Sequence, residues 1–112
     1  MESGLRIFKL RKFDKFALDE RITDQSLNEA IKRAESGLVD ADLGGGLIKQ
    51  RVARQGQGKS GGYRMIVGYR VKNRAVFLYG FPKNERDNID DDDLKSWQEI
   101  GASWLNASDK GI

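Results

Sequence analysis

Apolar residues recur along this chain with two periods, and the changes from one to the other mark out its elements. Leu5-Arg6-Ile7-Phe8-Lys9-Leu10 alternates loosely and predicts a first strand. Phe13, Phe16 and Ala17 then fall at helical spacing and predict a short first helix. Leu27, Ala30, Ile31 and Ala34 are the stripe of a second helix that stops at Gly37. Thr23 or Asp24 can cap its free N–H groups, and Ser26 with Glu29 also fits a capping box. Residues 39–46 read as a loop whose three glycines give backbone freedom before an edge strand.

From residue 47 the period becomes two. Ile48 and Val52 point one way, while Lys49, Arg51 and Ala53 point the other. The strand over about 62–71 repeats the pattern, with Tyr63, Met65, Val67, Tyr69 and Val71 opposed to Arg64, Ile66, Gly68 and Arg70. Residues 75–81 are apolar on both sides, which predicts a central strand ended by Pro82. Four acids, Asp90 to Asp93, favour a helix start through capping and the helix dipole rather than a metal cluster. That final helix would bury Leu94, Trp97, Ile100 or Gly101, Trp104 and Leu105, with both tryptophans as packing anchors. The order β-α-α-β-β-β-α predicts an α+β fold: a small antiparallel sheet with its helices packed on one face. The bare face would then carry the cations.

Charge sharpens this picture. Residues 47–86 hold ten cations against the single acid Glu85, a net +9, whereas residues 1–46 are at −1 and residues 87–112 at −5. The overall +3 therefore conceals a strongly basic middle, which points to a polyanionic partner. The 112 residues fit one domain. Absence of cysteine excludes disulfides and thiolate metal sites, and absence of histidine removes the usual general base. No apolar run approaches a membrane span and the N-terminus carries no signal-like stretch, so a cytoplasmic protein is expected.

Gly58-Lys59-Ser60 resembles part of a phosphate loop, but Ala53 stands where a glycine is needed and a strand follows instead of a helix. Nucleoside triphosphate binding is thereby rejected. One acid cannot pair ten cations, and strand-centre arginines suit bidentate contact with phosphate oxygens. Tyr63, Tyr69, Phe77 and Tyr79 fall at core positions, which argues against a stacking platform for passive single-strand binding. RNA cleavage needs no histidine, because the ribose 2′-hydroxyl is an internal nucleophile. Clustered cations can bring a lysine toward neutrality for proton exchange, and arginine can offset charge on the phosphate.

At Asp40-Ala41-Asp42-Leu43-Gly44-Gly45-Gly46, Lys49-Gln50-Arg51-Val52-Ala53-Arg54, Gly56-Gln57-Gly58-Lys59-Ser60-Gly61-Gly62-Tyr63-Arg64, Tyr79-Gly80-Phe81 and Lys83-Asn84-Glu85-Arg86-Asp87-Asn88-Ile89 the sequence closely resembles the RelE/HigB group of type II toxins. The resemblance implies a ribosome-dependent messenger endoribonuclease that works without metal or other cofactor. It also implies a cognate antitoxin of the HigA/RelB type with a helix-turn-helix domain, binding operator DNA only as the toxin–antitoxin complex. The 70S ribosome and messenger RNA would be its other partners, with no membrane involved. Carried onto this chain, Arg51 and Arg64 match the phosphate-contacting arginines, and Lys83 or Lys49 would exchange protons. Arg54, Lys59, Arg86 and Asn84 would hold RNA. Some relatives place a histidine or tyrosine near the C-terminus for proton transfer, and this chain has no histidine and no tyrosine beyond Tyr79. A ParE-like toxin that poisons gyrase and a non-catalytic nucleic-acid module are the alternatives.

Overall fold

The computed structural model describes residues 5–54, 58–70, 73–82 and 90–106, with the backbone alone for 54 and 58–61. Among these residues eight elements follow one another: β1 (Arg6–Lys9), α1 (Arg11–Asp19), α2 (Asp24–Glu35), β2 (Ala41–Gly44), β3 (Leu47–Arg54), β4 (Gly58–Arg70), β5 (Arg74–Pro82) and α3 (Asp91–Asn106). The strands form one sheet in the order β1-β5-β4-β3-β2. An α+β fold is thus what the chain adopts, and β5 is an interior strand as its two apolar faces require.

Local signals set most boundaries. Thr23 is the cap of α2, its hydroxyl accepting from the Ser26 N–H at 3.1 Å. Asp91, Asp92 and Asp93 occupy the first turn of α3, as the dipole argument predicts. Residues 41–44, expected as loop, are instead an edge strand paired antiparallel with β3. Gly45 and Gly46, with φ of 63° and 83°, make the tight turn between them, because a two-residue hairpin of the I′ type needs positive φ at both centres.

Two expectations about the sheet are corrected. It is mixed, because β1 runs parallel to β5, pairing Arg6 with Arg74 through Lys9 with Phe77. Alternation reports which residues share a face but carries no information on strand direction. The helices also do not share one face. Phe13 and Ala17 of α1 and Leu27, Ala30, Ile31 and Ala34 of α2 pack with Ile48, Val52, Tyr63, Met65, Val67, Ala75 and Phe77. On the reverse side Leu47, Ile66, Val76, Leu78 and Phe81 pack under Leu94, Trp97 and Trp104 of α3. Central strands apolar on both sides need cover on both, and α3 provides the second layer. Arg74, 1% exposed, anchors its far end by donating from Nη1 to the Trp104 carbonyl at 2.7 Å.

A bulge in β5 changes which residues share that reverse side. Ile66 pairs with Tyr79 but Val67 pairs with Phe77, so Leu78 is the extra residue. Tyr79 and Phe81 are thereby moved onto the face of Arg64 and Ile66. No helix among the described residues is long and apolar enough to cross a membrane.

Ionisation is coupled to this packing at high pH. Lys9 bonds Asp24 at 3.0 Å and lies 3.2 Å from Asp14, and the bond to Asp24 chiefly raises its pKa above the usual lysine value. Burial raises the Tyr69 hydroxyl above the usual tyrosine value, with Glu35 adding to it. Both groups hold their proton more tightly folded than unfolded. Their contribution is complete below the unfolded pKa values and is lost as pH rises through the folded ones. Urea unfolding is therefore expected to give the same stability at pH 7 and 9 and a lower one at pH 11.

Candidate functional site

β3 and β4 bring the predicted cations together through their register. Arg51 stands directly opposite Arg64, with Lys49 opposite Ile66 on the same face. The Arg51 N–H bonds outward, to the Asp40 carboxylate at 2.6 Å, and so does not face β4. Arg51 and Arg64 are therefore the closer, non-hydrogen-bonded kind of cross-strand pair, whose Cα atoms lie about 4.5 Å apart. Like charges so placed cost stability. A sequence that spends stability on a local conflict marks a functional position.

The two guanidinium groups differ in environment. The Arg64 residue is 6% exposed and is flanked on its other side by Phe81 in β5. The Arg51 side chain is 44% exposed. Lys49, two residues earlier on β3, is half-buried and opposes Ala41 in β2. Helix α3 packs over the Leu47 and Gly68 end of this face, with Gly101 against Leu47 and Leu105 near Gly68. The arginine pair stands four residues farther along β3. The cationic face is thus partly roofed rather than bare.

Aromatic residues border it. Tyr79 stacks on Trp97 with ring centroids 5.4 Å apart and planes 19° apart, and lies 5.8 Å from Phe81. Trp104 packs on Phe8 at 5.4 Å, so both tryptophans are packing anchors. Tyr63 and Phe77 are buried in the core beneath α1 and α2. Of the four aromatics expected in the core, Tyr79 alone lies on the cationic side, a result of the Leu78 bulge.

Arg54 ends β3 opposite Gly58, and Lys59 follows Gly58 in β4, both placed by their backbone. Lys83, Asn84 and Arg86 lie outside the described residues.

Three residues here escaped sequence reasoning. Asp40 places one carboxylate oxygen on the Arg51 N–H and the other 3.4 Å from Arg51 Nε. Arg33 of α2 donates to the Arg51 carbonyl and lies 3.7 Å from the same carboxylate. Gln50, fully buried, donates to the carbonyls of Ala30 and Leu38 and accepts from the Asp40 N–H at 2.8 Å. Asp40 lies inside one of the recognisable sequence stretches, but nothing in its local pattern shows which cation it meets.

Chemically, the face can bind a phosphodiester between two guanidinium groups with an ammonium group alongside. Among the described residues no group of three or more carboxylates could hold a metal ion. No curated protein matches the chain. The family described as RelE toxin of the RelE/RelB toxin–antitoxin system matches residues 5–112, nearly the whole length and every element of the sheet. With that match added to its α+β sheet and opposed arginines, the chain belongs to the RelE toxin family of toxin–antitoxin systems.

Proposed function

We propose that this toxin is an endoribonuclease that cuts messenger RNA on the ribosome in the cytoplasm and is neutralised by a cognate antitoxin. The observation that carries the reading is the direct opposition of Arg51 and Arg64 across β3 and β4, with Lys49 on the same face. Two guanidinium groups at that spacing can each fork onto one phosphodiester, binding its oxygens and offsetting the charge that develops at phosphorus.

The reaction needs little else. The 2′-oxygen attacks phosphorus, the bond to the 5′-oxygen breaks, and the products are a 2′,3′-cyclic phosphate and a 5′-hydroxyl. One proton leaves the 2′-hydroxyl and one reaches the departing 5′-oxygen. Lys49 or Lys83 is assigned to that exchange. Arg54, Lys59, Arg86 and Asn84 are assigned to holding messenger or ribosomal RNA, on the sequence resemblance. The antitoxin is assigned to the HigA/RelB type, with a helix-turn-helix domain that brings the pair to operator DNA.

Inducing the chain alone in bacteria and mapping messenger 5′ ends tests the proposal. New ends positioned within translated codons, without a rise in double-strand DNA breaks, are expected. Double-strand breaks with intact messages would instead favour a gyrase poison. Salt-dependent RNA binding with no cleavage on translating ribosomes would favour a non-catalytic module.

A further inference from the structure

Past Asp40 the edge strand β2 has not yet begun, so β3 loses its ladder partner at Arg51. Both backbone groups of Arg51 on that open edge are taken by side chains. Its N–H donates to Asp40 Oδ2 at 2.6 Å, and its carbonyl accepts from Arg33 Nη2. The two side chains complete the ladder at the residue whose guanidinium faces Arg64.

Holding the backbone does not require a second contact, yet there is one. Asp40 Oδ1 lies 3.4 Å from Arg51 Nε, the nitrogen on the stem side of the guanidinium. Among the described residues the terminal nitrogens of Arg51 have no hydrogen bond, which leaves them for a ligand. A carboxylate on Nε restricts rotation of a long, half-exposed side chain while leaving its fork available. The Asp40 side chain is 18% exposed, so its charge acts on Arg51 with limited screening by water.

Asp40 is in turn fixed from within the fold. Buried Gln50 accepts from the Asp40 N–H while donating to Leu38 and Ala30 carbonyls, which ties the chain entering β2 to α2 and β3. Arg33 approaches the same carboxylate at 3.7 Å, and the shared negative charge offsets repulsion between the two arginines.

From this geometry we infer that Asp40 is a positioning residue: seated by Gln50, it aims the Arg51 guanidinium at the scissile phosphate. The inference rests on the reading that Arg51 contacts that phosphate. The energetic logic is orientation, since a phosphate ligand held loosely loses transition-state contact more than substrate binding.

A double-mutant cycle with purified toxin on programmed ribosomes tests it, using wild type, Asp40→Asn, Arg51→Ala and the double variant. Asparagine keeps an oxygen for the Arg51 N–H and loses the charge. Asp40→Asn is expected to lower the maximal cleavage rate about tenfold with KM changed less than twofold. In the Arg51→Ala background the same substitution is expected to cost nothing further. Asp40→Glu, which restores the charge, is expected to recover part of the rate. Should Asp40→Asn fold poorly, Asp40→Ser, which also keeps an oxygen and loses the charge, takes its place in the cycle with the same expected outcomes. An equal tenfold loss in both backgrounds, or no loss beside an intact Arg51, overturns the inference while the site reading stands. Arg51→Ala cleaving at the wild-type rate overturns both.

Discussion

Replacing Arg64 with alanine is expected to reduce messenger cleavage by about 10²–10³-fold, with loss of growth arrest when the variant is induced. Arg64 faces Arg51 on one side and Phe81 on the other, and is 6% exposed. A guanidinium in such surroundings acts through a lower effective dielectric than one in water, so charge developing on a bound phosphodiester feels it strongly. Arg51, more exposed, is the weaker of the two on this argument. Arg64→Lys keeps the charge and loses the planar fork, and an intermediate rate is expected. Because Arg64 is buried, circular dichroism and melting of each variant must accompany the rates. Wild-type cleavage by a folded Arg64→Ala protein would refute its assignment to the phosphate.

Phe77→Ala is expected to destabilise the fold by about 3–5 kcal/mol, a large share of the roughly 5–15 kcal/mol that holds a domain together. Phe77 is fully buried, stacked on Phe13 at 5.1 Å, and its carbonyl accepts from the Leu10 N–H at 3.1 Å. The ring thus joins α1 to the sheet, while the backbone carbonyl, which alanine keeps, holds the chain leaving β1. Its removal leaves a cavity that Phe13 and Met65 cannot fill without moving. Urea unfolding followed by the fluorescence of Trp97 and Trp104 measures the loss. Phe77→Leu, which keeps most of the volume, is expected to cost less. A loss below about 1 kcal/mol for alanine would mean the stack carries little of the packing.

What the sequence revealed of this molecule was what depends on periodicity. Alternation in β3 and β4 put Arg51 and Arg64 on matching faces before any register was known, and the helical stripes gave α2 and α3. What it could not show depends on contacts between distant segments. Ala41-Asp42-Leu43-Gly44 has no strand-forming pattern and becomes a strand only because β3 offers an edge. The Leu78 bulge is invisible in a run that is apolar at every position, and it decides where Tyr79 and Phe81 sit. The stripe of α3 says that it must be buried but not beneath which side of the sheet. Asp40 was legible as a residue and illegible as a partner of Arg51, because eleven positions of chain and a hairpin separate them.

The parallel pairing of β1 with β5 also governs when the toxin can exist. Arg6 waits for Arg74, a partner 68 positions downstream, and the anchor of α3 is that same Arg74. A nascent chain cannot close its sheet until the last strand has been synthesised. Contacts so distant also slow folding, since closing a long loop precedes any gain from the pairing. A ribosome translating this gene therefore carries a polypeptide with an open sheet until β5 and Arg74 have emerged, and the toxin fold assembles only after them.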